Sequence, residues 1–410
     1  MKRRVGVILP WLLILASLSV IAISDCFSQE TVVLDMTGED IADVVAMFNR
    51  SQTDYQVVIQ NHSYRNWRYA VNKFRFTQKK SVKGDVDRII DIAFVDNNWL
   101  TELIHYQWLE DLSGHINKEI FIDELLEPAS EKDGLYGLPF STKGLVLFCR
   151  RDLHEKYTLP FPRTLEDLEK NGMFLMEAEQ LDHGVTIHYS ALHLDLLPFL
   201  WSNGGGVIVD GRLVLDSTGN RETLNKLQGM ARHNLFPGPE LLPALQKTYG
   251  HAKELFMTGR SAYLISWTNR TTDLNRSPIA GKYAILPLPT LKHDQQNYSM
   301  IGTWYFAVNR YSDHKQGAIS FLNYFYSDEI QSYLSRRSTG FIPATRTRYR
   351  SSAFVKEHGI LAVKAIENMR HRLMHLHESR ISFILENTFR QIIFEMKPVA
   401  DMLAISQERI

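Results

Sequence analysis

Three tryptophans stand beside short runs of small polar residues, a combination that suits a ligand carrying both apolar faces and hydroxyl groups. Trp99 closes Asp96-Asn97-Asn98-Trp99, Trp267 opens Trp267-Thr268-Asn269-Arg270, and Trp304 ends Gly302-Thr303-Trp304. An indole ring is a flat plate for the CH face of a sugar ring, and nearby carboxylate, amide and hydroxyl groups can fix its hydroxyls. Asp96 can accept from two hydroxyls; the alternative for this run is a helix-capping Asp and a core Trp. At Gly302 the missing side chain lets backbone approach a ligand closely, and Thr303 adds a hydroxyl. Trp304 and Tyr305 alternate, so one ring should face the core and the other the site. Trp201 keeps helical spacing from Leu197 and reads as core, which leaves Asn203, ahead of three glycines, as the polar candidate there. His193 and Asp195 lie at the entry of the same helix and read as structural.

A second group lies in Asp133 to Leu153, where Ser141, Thr142 and Lys143 sit between a turn and an apolar strand. Small polar residues at a point where the chain leaves one sheet for another mark the edge of a ligand cleft. Lys143 could hold a carboxylate or phosphate of an acidic sugar. Tyr64, Tyr136 and Phe140 are further stacking candidates. Arg370, His371, Arg372, His375 and His377 form a basic cluster, with His371 and His375 expected on one helical face. Without a third ligand in reach this reads as a solvated or anion-contacting face, and no metal site is expected. Asp85 and Asp87 read as surface carboxylates. The chain has no GxSxG, HExxH, CxxC, GxGxxG or GxxxxGK[ST] motif, so no nucleophile, metal-hydrolase or nucleotide-phosphate chemistry is indicated.

The elements that must carry these residues follow from hydropathy patterning. Thr31–Met36, Tyr55–Ile59 and Asp91–Val95 read as strands, with an amphipathic helix burying Ile41, Val44, Val45 and Phe48, and a polar helical region over Tyr64–Lys80. Strand and helix in alternation make a doubly wound α/β pattern, whose ligands meet the carboxyl ends of strands. Asp133-Gly134 signals a turn, and the unbroken apolar run Leu145–Phe148 a strand buried on both faces. A helix follows Pro160 and Pro162. Asp210-Gly211 signals a hairpin, Arg221–His233 a helix, and Ser261–Trp267, Tyr283–Leu286 and Gly302–Val308 further strands. From Gln316 onward the pattern is almost wholly helical, with Phe321, Leu322 and Phe325 at core spacing.

A chain of 410 residues exceeds what one core normally organises, so two lobes are expected. Its 46 basic and 46 acidic residues cancel, which removes the electrostatic case for nucleic acid or an anionic membrane surface as partner. Lys2-Arg3-Arg4 before the apolar stretch Val5–Ile23 is the pattern of an export signal over residues 1–28, cleaved near Ser24 or Ser28. Cys26 offers a lipid-anchoring alternative, although Asp25 stands where a small residue is expected. Membrane association is expected only through that signal or anchor. Cys149 is the other cysteine, so no intramolecular disulfide is expected, and its apolar surroundings mark it as a buried small hydrophobe.

Taken in order, several segments resemble the extracellular solute-binding proteins of ABC transporters that capture sugars, the maltose-binding-protein-like group. They are Asp91–Ser113, Gly134–Leu153, Trp201–Gly206, Phe256–Trp267, Ala280–Pro289, and Gly302–Asn309 with the Ala318–Gln331 helix. Lys83-Gly84-Asp85-Val86-Asp87 departs from the usual Gly-Asp-Ala-Pro run, and aliphatic residues around Leu192 stand where some sugar binders carry acids. The resemblance implies a two-lobed periplasmic-binding-protein fold of type II character, with hinge strands near Ser141–Leu145 and Ser299–Thr303 and a helical C-terminal region. The implied lobes are 29–142 plus 303–340 and 143–302 plus 341–410. It further implies an exported, non-enzymatic protein, needing no cofactor, that delivers a sugar, oligosaccharide or sugar derivative to an ABC permease. The expected ligand contacts are Asp96, Asn97, Trp99, Ser141, Thr142, Lys143, Asn203, Trp267, Asn269, Gly302, Thr303 and Trp304. An exported carbohydrate-active enzyme and a ligand-sensing module for a membrane receptor are the rival readings.

Overall fold

The computed structural model describes residues 29–36, 41–60, 90–187, 191–209, 212–237, 251–337, 340–371, 375 and 377–410. The expected export signal with Cys26, the helical region Tyr64–Lys80, Asp85 and Asp87, the Asp210-Gly211 turn and Arg372 lie outside the described residues. The fold is mixed α/β. Its described residues divide into two compact units, those within 1–94, 107–110 and 307–330 and those within 95–106, 111–306 and 331–410.

In the first unit the strand Glu30–Asp35 pairs in parallel with Tyr55–Gln60 (Val32 beside Val57) and with the start of Ile92–Asp96 (Leu34 beside Ile92). The helix Ala42–Ser51 buries Val44, Val45 and Phe48, the face its periodicity predicts. Phe48 meets Phe321 of the helix Lys315–Phe325 edge to face, with centroids 5.4 Å apart. Gly317 brings that helix against the sheet, since a Cβ there would lie 2.7 Å from Val32 and Tyr55. Asp91 stitches the unit together: its carboxylate accepts from the Val33 amide at 2.7 Å and from the Ser312 hydroxyl at 2.5 Å. Burial nevertheless dominates and holds its pKa above the ordinary carboxylate range.

The second unit centres on a four-stranded sheet in the order Tyr283–Leu286, Leu145–Arg150, Ser261–Trp267, His183–Thr186. Leu145–Arg150 runs antiparallel to both neighbours, with Cys149 opposite Tyr263 and Ala284, while His183–Thr186 is parallel to Ser261–Trp267. Leu145, Val146, Leu147, Phe148 and Cys149 are all 0% exposed, as an apolar run without alternation requires. Burial also pushes the Cys149 thiol well above its ordinary pKa. The helix Leu165–Glu179 starts where Thr164 and Asp167 form a reciprocal capping box. His154 bonds the Tyr263 hydroxyl at 2.7 Å inside the core, and burial lowers the pKa of this histidine.

Three expectations need correction. The tight turn is Lys132-Asp133, with Lys132 at φ 54°, and Gly134 already lies in the return strand Gly134–Leu135. The C-terminal region is interrupted: the helix Ala353–Glu367, bent at Gly359 (φ 72°), is followed by the strand Met369–Arg370, and helix resumes only at Glu378–Ile393 and Val399–Arg409. His371 and His375 therefore fall between helices and share no helical face. The pairing of Ser299–Met300 with Met369–Arg370 overrode local helix propensity there.

Candidate functional site

All the described site candidates from Asp96 to Trp304 belong to the second unit. Asp96 ends the strand Ile92–Asp96, and the helix Asn97–His105 begins at the next residue. That abrupt change buries Asn97 to 4% and Leu100 to 0% exposure and leaves Trp99 half-buried. The Trp99 ring meets Trp304 edge to face, with centroids 5.7 Å apart and planes at 84°. Trp304 opens the strand Trp304–Val308, whose pleat turns the next ring inward: Tyr305 is 0% exposed and its hydroxyl donates to the Leu125 carbonyl at 2.7 Å. Tyr305 is therefore the ring that faces the core, and Trp304 stays half-buried against Trp99.

A second constellation forms where separate chain segments cross. The Gly302 amide donates to the Lys143 carbonyl at 2.8 Å, and the Thr268 amide donates to the Gly144 carbonyl at 2.9 Å. Gly144 donates in return to the Thr268 hydroxyl at 3.2 Å. A Cβ on Gly302 would lie 2.5 Å from the Trp267 ring, so that indole packs directly on glycine backbone. Ser141 and Thr142 are buried beside Lys143, and the Thr142 amide donates to the Ile342 carbonyl at 2.7 Å. The buried hydroxyls of Thr142 and Thr303 and the buried amide oxygen of Asn269 have no hydrogen-bond partner among the described residues. Such groups carry an unmet bonding capacity of about 1–3 kcal/mol each.

The structure thus joins Trp99 to Trp304 and Trp267 to Gly302 and Lys143. Asn203 is used inside the protein instead: its amide nitrogen reaches Gly219 and Glu222, both at 3.2 Å, and its oxygen accepts from Gln295 at 2.5 Å. Phe140, a further stacking candidate, is core, meeting Phe306 and Phe341 edge to face at 5.5 and 5.4 Å. Tyr136 folds over its own hairpin onto Gly134, and Tyr64 lies outside the described residues. Trp201 packs against the main core. His193 pairs with Glu386 at 2.9 Å, consistent with its structural assignment, and Asp195 is buried. Among the described residues no three His, Cys, Asp or Glu side chains are placed to hold a metal ion.

Sequence reasoning missed the role of Tyr298 and misplaced Arg370. The Arg370 guanidinium lies 3.7 Å over the Tyr298 ring, and the Ile301 amide donates to the Arg370 carbonyl at 2.9 Å. The ring of His371 donates to the Glu124 carbonyl, and burial lowers its pKa, which keeps it neutral near pH 7. The signal for this arrangement is Asn368, a residue suited to ending the helix before Met369.

Solved structures share this architecture along nearly the whole chain. A maltose-bound protein of T. maritima, MalE3, is 20% identical, with a TM-score of 0.75 over 92% of this chain and 98% of that one. The GacH receptor of Streptomyces glaucescens, solved unliganded and with acarbose, is 13% identical, with a TM-score of 0.78 over 93% and 97%. A solute-binding protein of Thermotoga lettingae bound to α-D-tagatose is 17% identical, with a TM-score of 0.77 over 93% and 98%. These likenesses establish the fold. A family model matches residues 43–363, and on that match the chain belongs to the bacterial extracellular solute-binding proteins.

Proposed function

We propose that this protein captures a sugar, oligosaccharide or sugar derivative in a cleft between two lobes, residues 29–142 plus 303–340 and 143–302 plus 341–410. It delivers that ligand to an ABC permease. The observation that carries this reading is the pairing of half-buried tryptophans with polar groups: Trp99 on Trp304 beside Asp96, and Trp267 on Gly302 beside Thr268 and Asn269. Family membership supports solute capture, and structural relatives that bind maltose, acarbose and tagatose support a polyhydroxylated ligand. The ligand contacts in this reading are Asp96, Asn97, Trp99, Ser141, Thr142, Lys143, Trp267, Asn269, Gly302, Thr303 and Trp304, and Asn203 is left out because its amide is engaged by Gly219, Glu222 and Gln295.

The protein works as a binder without turnover: ligand bound to the aromatic plates shifts an open–closed equilibrium, and a micromolar Kd corresponds to about 8 kcal/mol. Its N-terminal segment exports it, with either cleavage near Ser24 or Ser28 or lipid attachment at Cys26 holding it at the outer face of the membrane. Calorimetry of the mature chain against a panel of neutral mono- and oligosaccharides tests the central claim. A binding sugar should lose about 2 kcal/mol, roughly thirtyfold in Kd, when Trp267 is replaced by Ala. Unchanged affinity removes Trp267 from the site, and release of reducing ends from an oligosaccharide would make the protein an enzyme instead.

A further inference from the structure

The crossing segments around Trp267 carry a charge bias that a neutral sugar does not need. Residues 141–145, 267–270, 298–304 and 369–371 contribute Lys143, Arg270, Arg370 and His371 and no Asp or Glu, while Glu124 and Glu127 lie on the His371 side of the cluster. Arg370 is the best placed of these. Strand alternation puts Tyr298, Met300 and Gly302 on one face of their segment, and Arg370 pairs with Met300. Two contacts agree with that common face: Arg370 stacks on Tyr298, and Trp267 packs on Gly302. Gly302 lies two residues beyond Met300, about 7 Å along the strand, so the row runs from the Trp267 indole to the Arg370 guanidinium within a short span.

Arg370 is also held ready. Its carbonyl accepts from Ile301, its neighbour His371 is tied to Glu124, and its guanidinium face is taken by the Tyr298 ring. Stacking through the face leaves the in-plane N–H groups at the edge, the geometry that takes a carboxylate through two parallel hydrogen bonds. The side chain is exposed, and no carboxylate among the described residues forms an ion pair with it. Asp96, by contrast, stands with the Trp99–Trp304 pair, where it suits sugar hydroxyls.

Building on the sugar-capture reading, we propose that the natural ligand is an anionic saccharide, a uronic acid or uronate-containing oligosaccharide. Its carboxylate sits on the edge of Arg370 and its ring on Trp267. The test is calorimetry of the full mature protein, at low salt, with D-galacturonate, D-glucuronate and their disaccharides against galactose, glucose and the matched neutral disaccharides, with glucose 6-phosphate as a separate arm. The expected result is at least tenfold tighter binding of a uronate than of its neutral counterpart. That ratio should collapse in Arg370→Met, be partly kept in Arg370→Lys, and be unchanged in Lys170→Met on a distant helix. High salt should shrink the ratio in the wild type. Equal or tighter binding of the neutral sugar overturns the proposal while leaving sugar capture standing. A preference for glucose 6-phosphate over both uronates overturns the carboxylate assignment, and failure of every sugar, charged or neutral, overturns both readings.

Discussion

The two tryptophan constellations are built in different ways. Trp99 and Trp304 meet edge to face, each placed by its own neighbours: Trp99 by the helix that starts at Asn97, Trp304 by the pleat that buries Tyr305. Trp267 is placed by distant backbone. It packs on Gly302, which hangs from Lys143, next to a segment paired with residues 369–370. The first end carries a carboxylate, and it too is fixed at long range, by Tyr305 to the Leu125 carbonyl and by the Phe140 amide to the Trp304 carbonyl. The second is specified by long-range pairing and carries cations. On the proposed reading, the first end serves the hydroxyls and faces of the sugar and the second its charge.

If the second end depends on backbone approach, the largest effect should come from Gly302→Ala, because the added Cβ collides with a rigid indole. We expect a loss of about 1–3 kcal/mol in chemical denaturation together with weaker sugar binding. Wild-type stability and affinity in that variant would show that the ring is free to move and would dissolve the contrast. At the first end, Tyr305→Phe removes a buried hydroxyl that donates to Leu125, for an expected cost of about 1–2 kcal/mol by the same measurement. Trp304 fluorescence should shift in that variant, and an unchanged emission spectrum would mean that Tyr305 does not fix the neighbouring ring.

The smallest effect is one of pH. Burial lowers the folded-state pKa of His154 and His371 below the ordinary 6.5. Between that folded value and 6.5 the unfolded chain binds more protons than the native one, so stability should be full above pH 6.5 and decline as pH falls through that range. His371 is tied to the Glu124 carbonyl, next to the Leu125 carbonyl that holds Tyr305, and the protection factors of residues 369–371, corrected for slower intrinsic exchange at low pH, should fall on acidification. Protection at 369–371 that does not change with pH would mean that the His371 contact does not hold this strand.

Legibility in the sequence follows the same division. The strands Leu145–Arg150 and Ser261–Trp267, the helix after Pro160 and Pro162, and the alternation of Trp304 with Tyr305 are legible because each depends on residues a few positions apart, whereas which of the two rings turns inward is not. Asp96 and Trp99 stood out for the same reason. Arg370 is visible as one of a basic cluster whose spacing suggests a helix, since nothing near it announces a strand whose partner is Met300. Phe140 looked like a plate beside a polar run, and only the positions of Phe306 and Phe341 reveal it as packing. The engagement of Asn203 by Gln295 likewise depends on a chain segment far away in sequence.

Cys149 has a practical corollary. The sequence holds one other cysteine, Cys26, in the segment proposed to be cleaved or lipidated, and Cys149 is sealed in the central sheet with its thiol held protonated. The mature protein should therefore be inert to maleimides under native conditions. A single thiol engineered on the surface near Trp267 could carry an environment-sensitive dye with no background labelling, turning the wild-type scaffold directly into an optical reporter of its own cargo.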